Sequence, residues 1–390
     1  MFNRLLECLV KNFIVVLFSI VGISAAMSAQ QDSTAVDSLL VKQLEQQMQA
    51  AAPPPAPAPA APSRSAPTTN PDLSAIGDFR ALYSSVGQRN VELYFNQLEM
   101  QLTSVVDPYA RANFIFSFGK DSVNGDFSTD LEEATLTTID LPYQLQATVG
   151  KFKPHFTKVN TIHPHAFSFV DFPTMLTRYF SDEGLFMEGV SASWLVPNPW
   201  DYYQELDVEV GRSEANHTLD QGNANRLLYV GHLKNFFELT DNATLEFGLS
   251  GLSGVNAMQY ATTMGGVDIT YKWKPVQFNT FQSFTWQTEG LLCKTSTPAA
   301  TDVLTYGAYS YIENQVAERT FLGARFDYSA LPGNKSTEDR VSSLLVRFQP
   351  TEFQILALEF QHDVRSYGSN ANQVVLRAIF AIGTHGAHAY

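Results

Sequence analysis

The residues between Lys153 and Gly184 hold the densest group of side chains that could do chemistry. His163 and His165 flank a single proline, so the two imidazoles could face one metal ion, with Asp171 or Asp182 as a third ligand. Two histidines without a fixed third ligand do not define a metal site. We therefore expect a packing role here and keep His163 and His165 as metal ligands as the alternative.

Short catalytic motifs are missing from the whole sequence. It contains no Gly-x-Ser-x-Gly elbow, no phosphate-binding loop, no Cys-x-x-Cys and no His-Glu-x-x-His. The acidic pairs Glu132-Glu133 and Asp182-Glu183 fall at the ends of apolar segments, where we expect water to solvate them. The sequence therefore predicts a protein that is not an enzyme and needs no cofactor.

Composition narrows the class of protein. The 390 residues carry 25 basic and 39 acidic side chains, a net charge of -14, which argues against a nucleic-acid partner. Charged residues make up 16%, against about 25% in soluble proteins, while aromatic residues reach 12%. Beyond residue 29 no apolar run approaches the roughly 20 residues that a spanning helix needs. A large β protein remains.

The first 29 residues have the pattern of a secretory signal peptide. Arg4 and Lys11 supply its positive charges, an apolar stretch follows, and small residues lead to Ala29. A membrane anchor is the alternative, but the apolar stretch is short for one. After cleavage Cys293 would be the one remaining cysteine, so we expect no intramolecular disulfide.

Residues 30–50 predict a short amphipathic helix, and residues 51–69 a Pro/Ala-rich linker. Val36, Leu40, Leu44 and Met48 recur every four residues and form one apolar stripe. A helix of this length is marginal alone, so we expect it to pair with its own copies or another surface. A disordered tail is the alternative. The linker should be extended and semi-rigid.

Residues 70–390 alternate with period two, as strands with one buried face do. Val267, Ile269 and Tyr271 alternate with Asp268 and Thr270, for example. Sixteen such segments predict a transmembrane antiparallel β-barrel of about 16 strands. They begin near Leu73, Val91, Tyr109, Leu131, Gln144, Leu185, Tyr202, Arg226, Ala243, Met264, Phe278, Tyr306, Arg319, Arg340, Phe353 and Asn372.

The predicted connections between these segments alternate in length. Lys153–Gly184, Gly290–Thr305 and Ser329–Asp339 are long, whereas the intervening links, such as Lys274–Gln277, are tight. Short turns on one rim and long loops on the other are typical of outer-membrane barrels. Aromatic residues crowd the tight turns, and the chain ends on Tyr390, as such barrels commonly do.

Four stretches carry a resemblance to a known family: Asn70–Phe79, Val105–Arg111, Gly150–His165 and Gly383–Tyr390. Together they resemble a poorly characterised family of porin-like outer-membrane β-barrel proteins of Gram-negative bacteria. The resemblance implies an outer-membrane channel for small hydrophilic solutes or ions, in contact with lipid and lipopolysaccharide. It also implies a homo-oligomer, for which a trimer is the expectation.

Two other functions stay open. One is a substrate-specific outer-membrane receptor or transporter, which could be metal-related. The other is a barrel that tethers the envelope without free conductance. Single-channel recording separates both from a diffusion channel.

Alternation also predicts which charged side chains face the lumen. In one interpretation the excess of acids among these lumen charges makes the pore favour cations. In the other, which we prefer, the charges pair with one another and only solvate the inner face of the wall. The predicted wall residues are Arg111, Glu205, Asp207, Glu209, Glu246, Asp268, Lys272, Arg325, Asp327, Arg347, Glu359 and Arg377.

The third long connection, Lys153–Gly184, is too apolar for a free external loop, because exposing its phenylalanines to water would be costly. By resemblance to sixteen-stranded porins, we expect it to fold inward and narrow the pore. An outward lid or a subunit contact is the alternative. The expected constriction residues are Lys153, His155, Lys158, His163, His165, Asp171 and Arg178.

Overall fold

The computed structural model describes residues 71–87, 90–120, 127–200, 202–213, 218–219, 226–275, 281–296 and 302–383. The predicted signal peptide, helix, linker and terminal Tyr390 lie outside the described residues. The chain divides into two units, Met1–Pro67 and Thr68–Tyr390, and all described residues belong to the second. Within them, no helix is both long and apolar enough to cross a membrane.

The described residues form a closed antiparallel barrel in which every strand pairs with its neighbours in sequence and β1 pairs with β16. The strands are β1 Asp72–Ser84, β2 Val91–Asp107, β3 Ala110–Lys120, β4 Phe127–Thr138, β5 Leu145–Phe152, β6 Met187–Leu195, β7 Tyr203–Ser213, β8 Leu228–Thr240, β9 Ala243–Val255, β10 Ala261–Trp273, β11 Ser283–Ser296, β12 Asp302–Ala317, β13 Thr320–Leu331, β14 Asn334–Thr351, β15 Gln354–Arg365 and β16 Ala371–Gly383. The prediction of a 16-stranded barrel is confirmed.

Within the described residues, helical structure is short and lies in two connections. One α-helix, α1, spans Thr174–Tyr179. Three 3-10 turns span Pro142–Gln144, Val159–Thr161 and Pro164–Ala166. All but the first lie between β5 and β6, in the connection that the sequence singles out.

Alternation along the strands separates a lipid-facing surface from the interior. Val267 on β10 pairs with Leu249 on β9, and both side chains are exposed on the outside, whereas the next residue, Asp268, is buried inside. Closing the sheet satisfies the strands' backbone groups, which lipid cannot do. The apolar outer face and polar inner face are those of a membrane barrel.

The connections differ from the predicted alternation of long and short links. The expected Ser329–Asp339 link is a two-residue turn, because β13 and β14 extend into it as far as Leu331 and Asn334. Gly333 sits in that turn at a φ of 71°, which glycine adopts without steric cost. Gly290–Thr305 is likewise mostly strand, whereas the supposedly tight link after Trp273 is nine residues long, 274–282.

We expect Leu344→Arg to destabilise the barrel by about 2–4 kcal/mol, the cost of a cation on the lipid face near mid-membrane. Leu344 lies in the middle of β14 and is 64% exposed on the outer face. The measurement is the urea midpoint of the barrel refolded in lipid vesicles. Val316→Arg is the matched control, because Val316 is equally outward but lies at the end of β12, where the cost falls to about 0–1 kcal/mol. Equal losses in both variants would contradict a lipid-facing Leu344.

Candidate functional site

The loop Lys153–Gly184 enters the barrel after β5 and leaves it before β6. Its polar groups form hydrogen bonds with side chains on β1, β2, β4, β7, β9 and β11 to β16. The loop is therefore inside the lumen and reaches most of its circumference. It does not form an outward lid.

Apolar side chains explain why this loop folds inward. They pack against apolar residues on the inner face of the wall, such as Leu252, Met264 and Leu291, and together form a buried core within the barrel. Removing this surface from water is the main driving force for the inward position. The fully buried apolar and aromatic residues of the loop are Phe156, Val159, Val170, Met175, Leu176, Tyr179 and Phe180.

Carboxylates on the wall hold the loop backbone. Each of four buried acids accepts a hydrogen bond from a loop N–H, and a buried carboxylate without such a partner would be costly. The loop amides thus supply hydrogen bonds to the buried carboxylates of the wall, and these carboxylates supply the acceptors that the buried loop amides need. The bonds run from His155 N to Glu209 (3.0 Å), Val159 N to Glu289 (3.1 Å), Val170 N to Glu359 (2.8 Å) and Thr174 N to Asp327 (2.9 Å).

Six of the seven expected constriction residues contact a charged side chain on the wall. The loop supplies five of the bases and the wall supplies their acids, while Asp171 reverses the pattern. Lys153 instead donates to the Glu183 carbonyl (2.7 Å), between the Phe172 and Phe186 rings. The shortest ion-pair distance of each of these six loop residues is His155–Glu209 2.7 Å, Lys158–Glu246 2.9 Å, His163–Glu132 3.0 Å, His165–Glu99 3.0 Å, Arg178–Asp339 2.6 Å and Asp171–Arg80 2.7 Å.

Two loop histidines are held in their charged form by these acids. Burial by itself would lower the pKa of His155, but the hydrogen bond with Glu209 raises it to about 9. Burial would also lower the pKa of His163, and the carboxylates of Glu132 and Glu133 raise it to about 10. Both imidazoles therefore carry a proton on each ring nitrogen at neutral pH and are positively charged.

The predicted wall charges lie mostly inside the barrel and mostly in pairs. Arg325 binds Asp327 on the same strand at 2.7 Å. Arg347 contacts Glu313 at 2.8 Å, and Arg377 contacts Asp78 at 3.0 Å. Of the other predicted wall residues, Asp207, Glu209, Glu246, Asp268 and Glu359 are buried, Glu205 and Lys272 are half-buried, and Arg111 is exposed at one end of β3.

Several wall acids in the site were not on the predicted list. Asp78, Glu99, Glu132, Glu289, Glu313 and Asp339 are buried inside the barrel. For most of them, strand alternation was the signal that could have found them, since it places every second residue inside. Glu132 was instead expected to be solvated, because its strand was placed to start at Leu131 rather than Phe127.

Two cavities border the Lys158–Glu246 ion pair. The first, of about 130 Å³, lies between the loop and the wall and is lined by Glu205, Asp207 and His232 among others. The second, of about 280 Å³, continues towards the short β8–β9 turn past Lys272 and Lys274. Because both are lined by Lys158 and Glu246, this ion pair stands where the two cavities meet.

His163 lies in a cluster that the sequence did not assemble. Its ligand atoms and those of Glu99 and Glu132 all lie within 4.8 Å of one another. The third ligands suggested from the sequence are elsewhere: Asp171 binds Arg80 and Gln361, and Asp182 is exposed. Those two suggestions were wrong, because the acids whose ligand atoms lie closest to His163 come from the wall and not from its own loop.

Comparison with known sequences gives one distant relative. No family model matches the chain. An uncharacterised protein of Aquifex aeolicus is 28% identical over 338 residues, which cover 76% of this chain and 69% of the relative. This similarity names no activity.

Comparison with solved structures shows the fold. The barrel is similar to an anion-selective porin from Comamonas acidovorans (TM-score 0.58, 11% identity, 80% of this chain and 99% of that one). It is also similar to the outer-membrane channel DcaP of Acinetobacter baumannii (TM-score 0.56, 9% identity, 80% of this chain and 97% of that one). A trimer form of OmpT of Vibrio cholerae is similar as well (TM-score 0.52, 9% identity, 80% of this chain and 100% of that one). The predicted porin fold is confirmed, and with the apolar outer face it indicates the outer membrane.

Proposed function

We propose that the protein is an outer-membrane channel for small hydrophilic solutes or ions and that the Lys153–Gly184 loop is its constriction. The observation that carries the proposal is the set of bonds that hold this loop across the lumen, from Arg80 on β1 to Glu209 on β7 and Asp339 on β14. The porin fold supplies the aqueous path, and the loop reduces it. Single-channel recording of the purified protein in a planar bilayer tests the proposal, and the absence of any conductance would overturn it.

The path that we propose follows the wall from β7 to β10, where the two cavities lie. Lys158 and Glu246 stand between them at 2.9 Å. The path carries both signs of charge, because Glu205 and Asp207 line the first cavity together with His155, His163 and Lys234.

The burial of the loop favours a second candidate function, a substrate-specific channel whose loop moves when solute binds. Phe156, Met175 and Tyr179 are completely buried in the core inside the barrel, and this core would restrict free diffusion. Recording distinguishes the two candidates: a diffusion channel conducts steadily in simple salt, whereas a substrate-specific one conducts only when its solute is added.

Lys158→Met should raise conductance and shift selectivity towards cations several-fold. The variant removes the positive charge between the cavities and leaves Glu246 with only its longer contact to Lys234 (3.8 Å), so the local potential becomes more negative. The measurement is the reversal potential in a KCl gradient. Lys294→Met is the matched control, because Lys294 pairs with Asp302 at 2.7 Å on the exposed rim. A reversal potential unchanged in Lys158→Met would remove the β7–β10 path.

We also propose a homotrimer in contact with lipid and lipopolysaccharide. The trimer form of Vibrio cholerae OmpT supports this assembly by analogy of fold. The mass of the detergent-solubilised protein, corrected for bound detergent, tests it. A mass of one chain would overturn the trimer.

A further inference from the structure

The cluster around His163 joins three separate parts of the barrel. Glu99 projects from β2, Glu132 and Glu133 project from β4, and His163 comes from the loop inside the lumen. His163, Glu99 and Glu132 are all at least nine-tenths buried. The contacts between these side chains indicate which nitrogen of His163 carries a hydrogen and which faces the carboxylates.

Glu133 fixes the state of the imidazole. His163 Nε2 lies 3.1 Å from Glu133 Oε1, and since a carboxylate can only accept, Nε2 carries a hydrogen and donates it. The other nitrogen, Nδ1, points to Glu132 Oε2 at 3.0 Å and Glu99 Oε2 at 3.5 Å. Among the described residues Nδ1 has no well-directed hydrogen bond, although it is buried.

Three electron-rich atoms therefore face one another, and a cation between them would offset their mutual repulsion. A proton on Nδ1 is one solution, but its bonds to these oxygens are poorly directed. A divalent metal ion is the other. In a tetrahedral site with bonds of about 2.1 Å, neighbouring ligand atoms lie about 3.4 Å apart, close to the 3.0 and 3.5 Å found here.

Outer contacts orient the ligands as they do in metal sites. Glu133 holds the distal nitrogen of His163, which gives the carboxylate–histidine–metal arrangement. Gln97 donates to Glu132 Oε1 and leaves Oε2 facing His163. His165 Nδ1 lies 3.0 Å from Glu99 Oε2 and orients that carboxylate.

We propose that Glu99, Glu132 and His163 bind one divalent transition-metal ion of the zinc class. One imidazole nitrogen and two carboxylates suit Zn²⁺ better than Ca²⁺ or Mg²⁺, which take oxygen ligands. The ion replaces the proton on Nδ1, so binding releases a proton and weakens as pH falls. It also ties the loop to β2 and β4.

Titration calorimetry with Zn²⁺ on the chelator-treated, refolded barrel tests the site. We expect one equivalent to bind, with the affinity of His163→Gln and of Glu132→Gln each reduced by at least the ~10–100-fold that loss of an outer-shell partner costs, because both residues are direct ligands. Co²⁺ should give visible absorption bands that depend on the same residues. His362→Gln is the matched control, since His362 bonds Asn372 outside the lumen and should leave binding unchanged.

A folded barrel migrates faster in electrophoresis before boiling than after it, so a variant whose unboiled sample migrates as slowly as its boiled sample has not folded. Glu99→Gln is then tested in place of that variant. Failure of the wild-type protein to bind Zn²⁺, or binding of equal strength in folded His163→Gln, overturns the proposal. The experiment measures Zn²⁺ binding and not conductance, so its result is independent of whether the proposed channel function is correct. A further expectation, which rests on the proposed function, is that Zn²⁺ lowers wild-type conductance by holding the loop in place.

Discussion

Replacement of Thr161–Pro173 by a short Gly-Ser linker should raise single-channel conductance several-fold. This segment carries the loop contacts with Glu99 and Glu132 on one side of the barrel and with Arg80 and Glu359 on the adjoining side. Its removal clears the lumen along β15, β16, β1, β2 and β4, and water then solvates the wall charges that the loop had bound. Recording in a planar bilayer with symmetric KCl measures the effect.

The matched control for this variant alters a connection outside the lumen. Ala257–Gln259 is exposed on the rim between β9 and β10, and the same linker there should leave conductance unchanged. Heat-modifiable migration confirms that both variants are folded. If the variant with the shortened loop conducts like the wild-type protein and has the same ion selectivity, the loop is not the constriction. The role expected for the seven constriction residues is then also wrong.

Arg325→Met should cost about 3–5 kcal/mol of unfolding free energy, the penalty for breaking a buried ion pair from one side. Arg325 is 5% exposed and binds Asp327, which is completely buried. It also donates to the Asp171 carbonyl at 2.8 Å and lies over the Phe169 ring, so it supports the loop as well as the wall. Without it, Asp327 keeps the Thr174 amide as a partner but no counter-charge.

Two further variants isolate this ion pair. Arg325→Met combined with Asp327→Asn should recover much of the loss, because Asp327 is then no longer left as a buried charge without its partner. Arg340→Met should cost less than about 1 kcal/mol, since its pair with Glu338 is exposed to water. Urea unfolding of the barrel in lipid vesicles measures all three. A loss for Arg325→Met no greater than that for Arg340→Met would show that the buried pair does not stabilise the barrel.

The barrel and the inner face of each strand follow from the sequence alone. Pleating turns successive side chains to opposite sides, so period-two alternation fixes which residues face lipid and which face the lumen. Observed strands begin within a few residues of their predicted starts, the largest difference being Asn334 against Arg340. Alternation says little about where a strand ends, and for this reason the turn at Gly333 was mistaken for a long connection.

The inward course of the loop could also be anticipated, because eleven large apolar or aromatic side chains in one connection need a surface to cover them. Its partners could not. A loop has no period that sets its register, and its contacts join residues far apart in the chain: His165 meets Glu99, 66 positions earlier, and Asp171 meets Arg325, 154 positions later. Closure of the barrel brings these strands around one lumen, so only the tertiary structure decided which carboxylates surround His163.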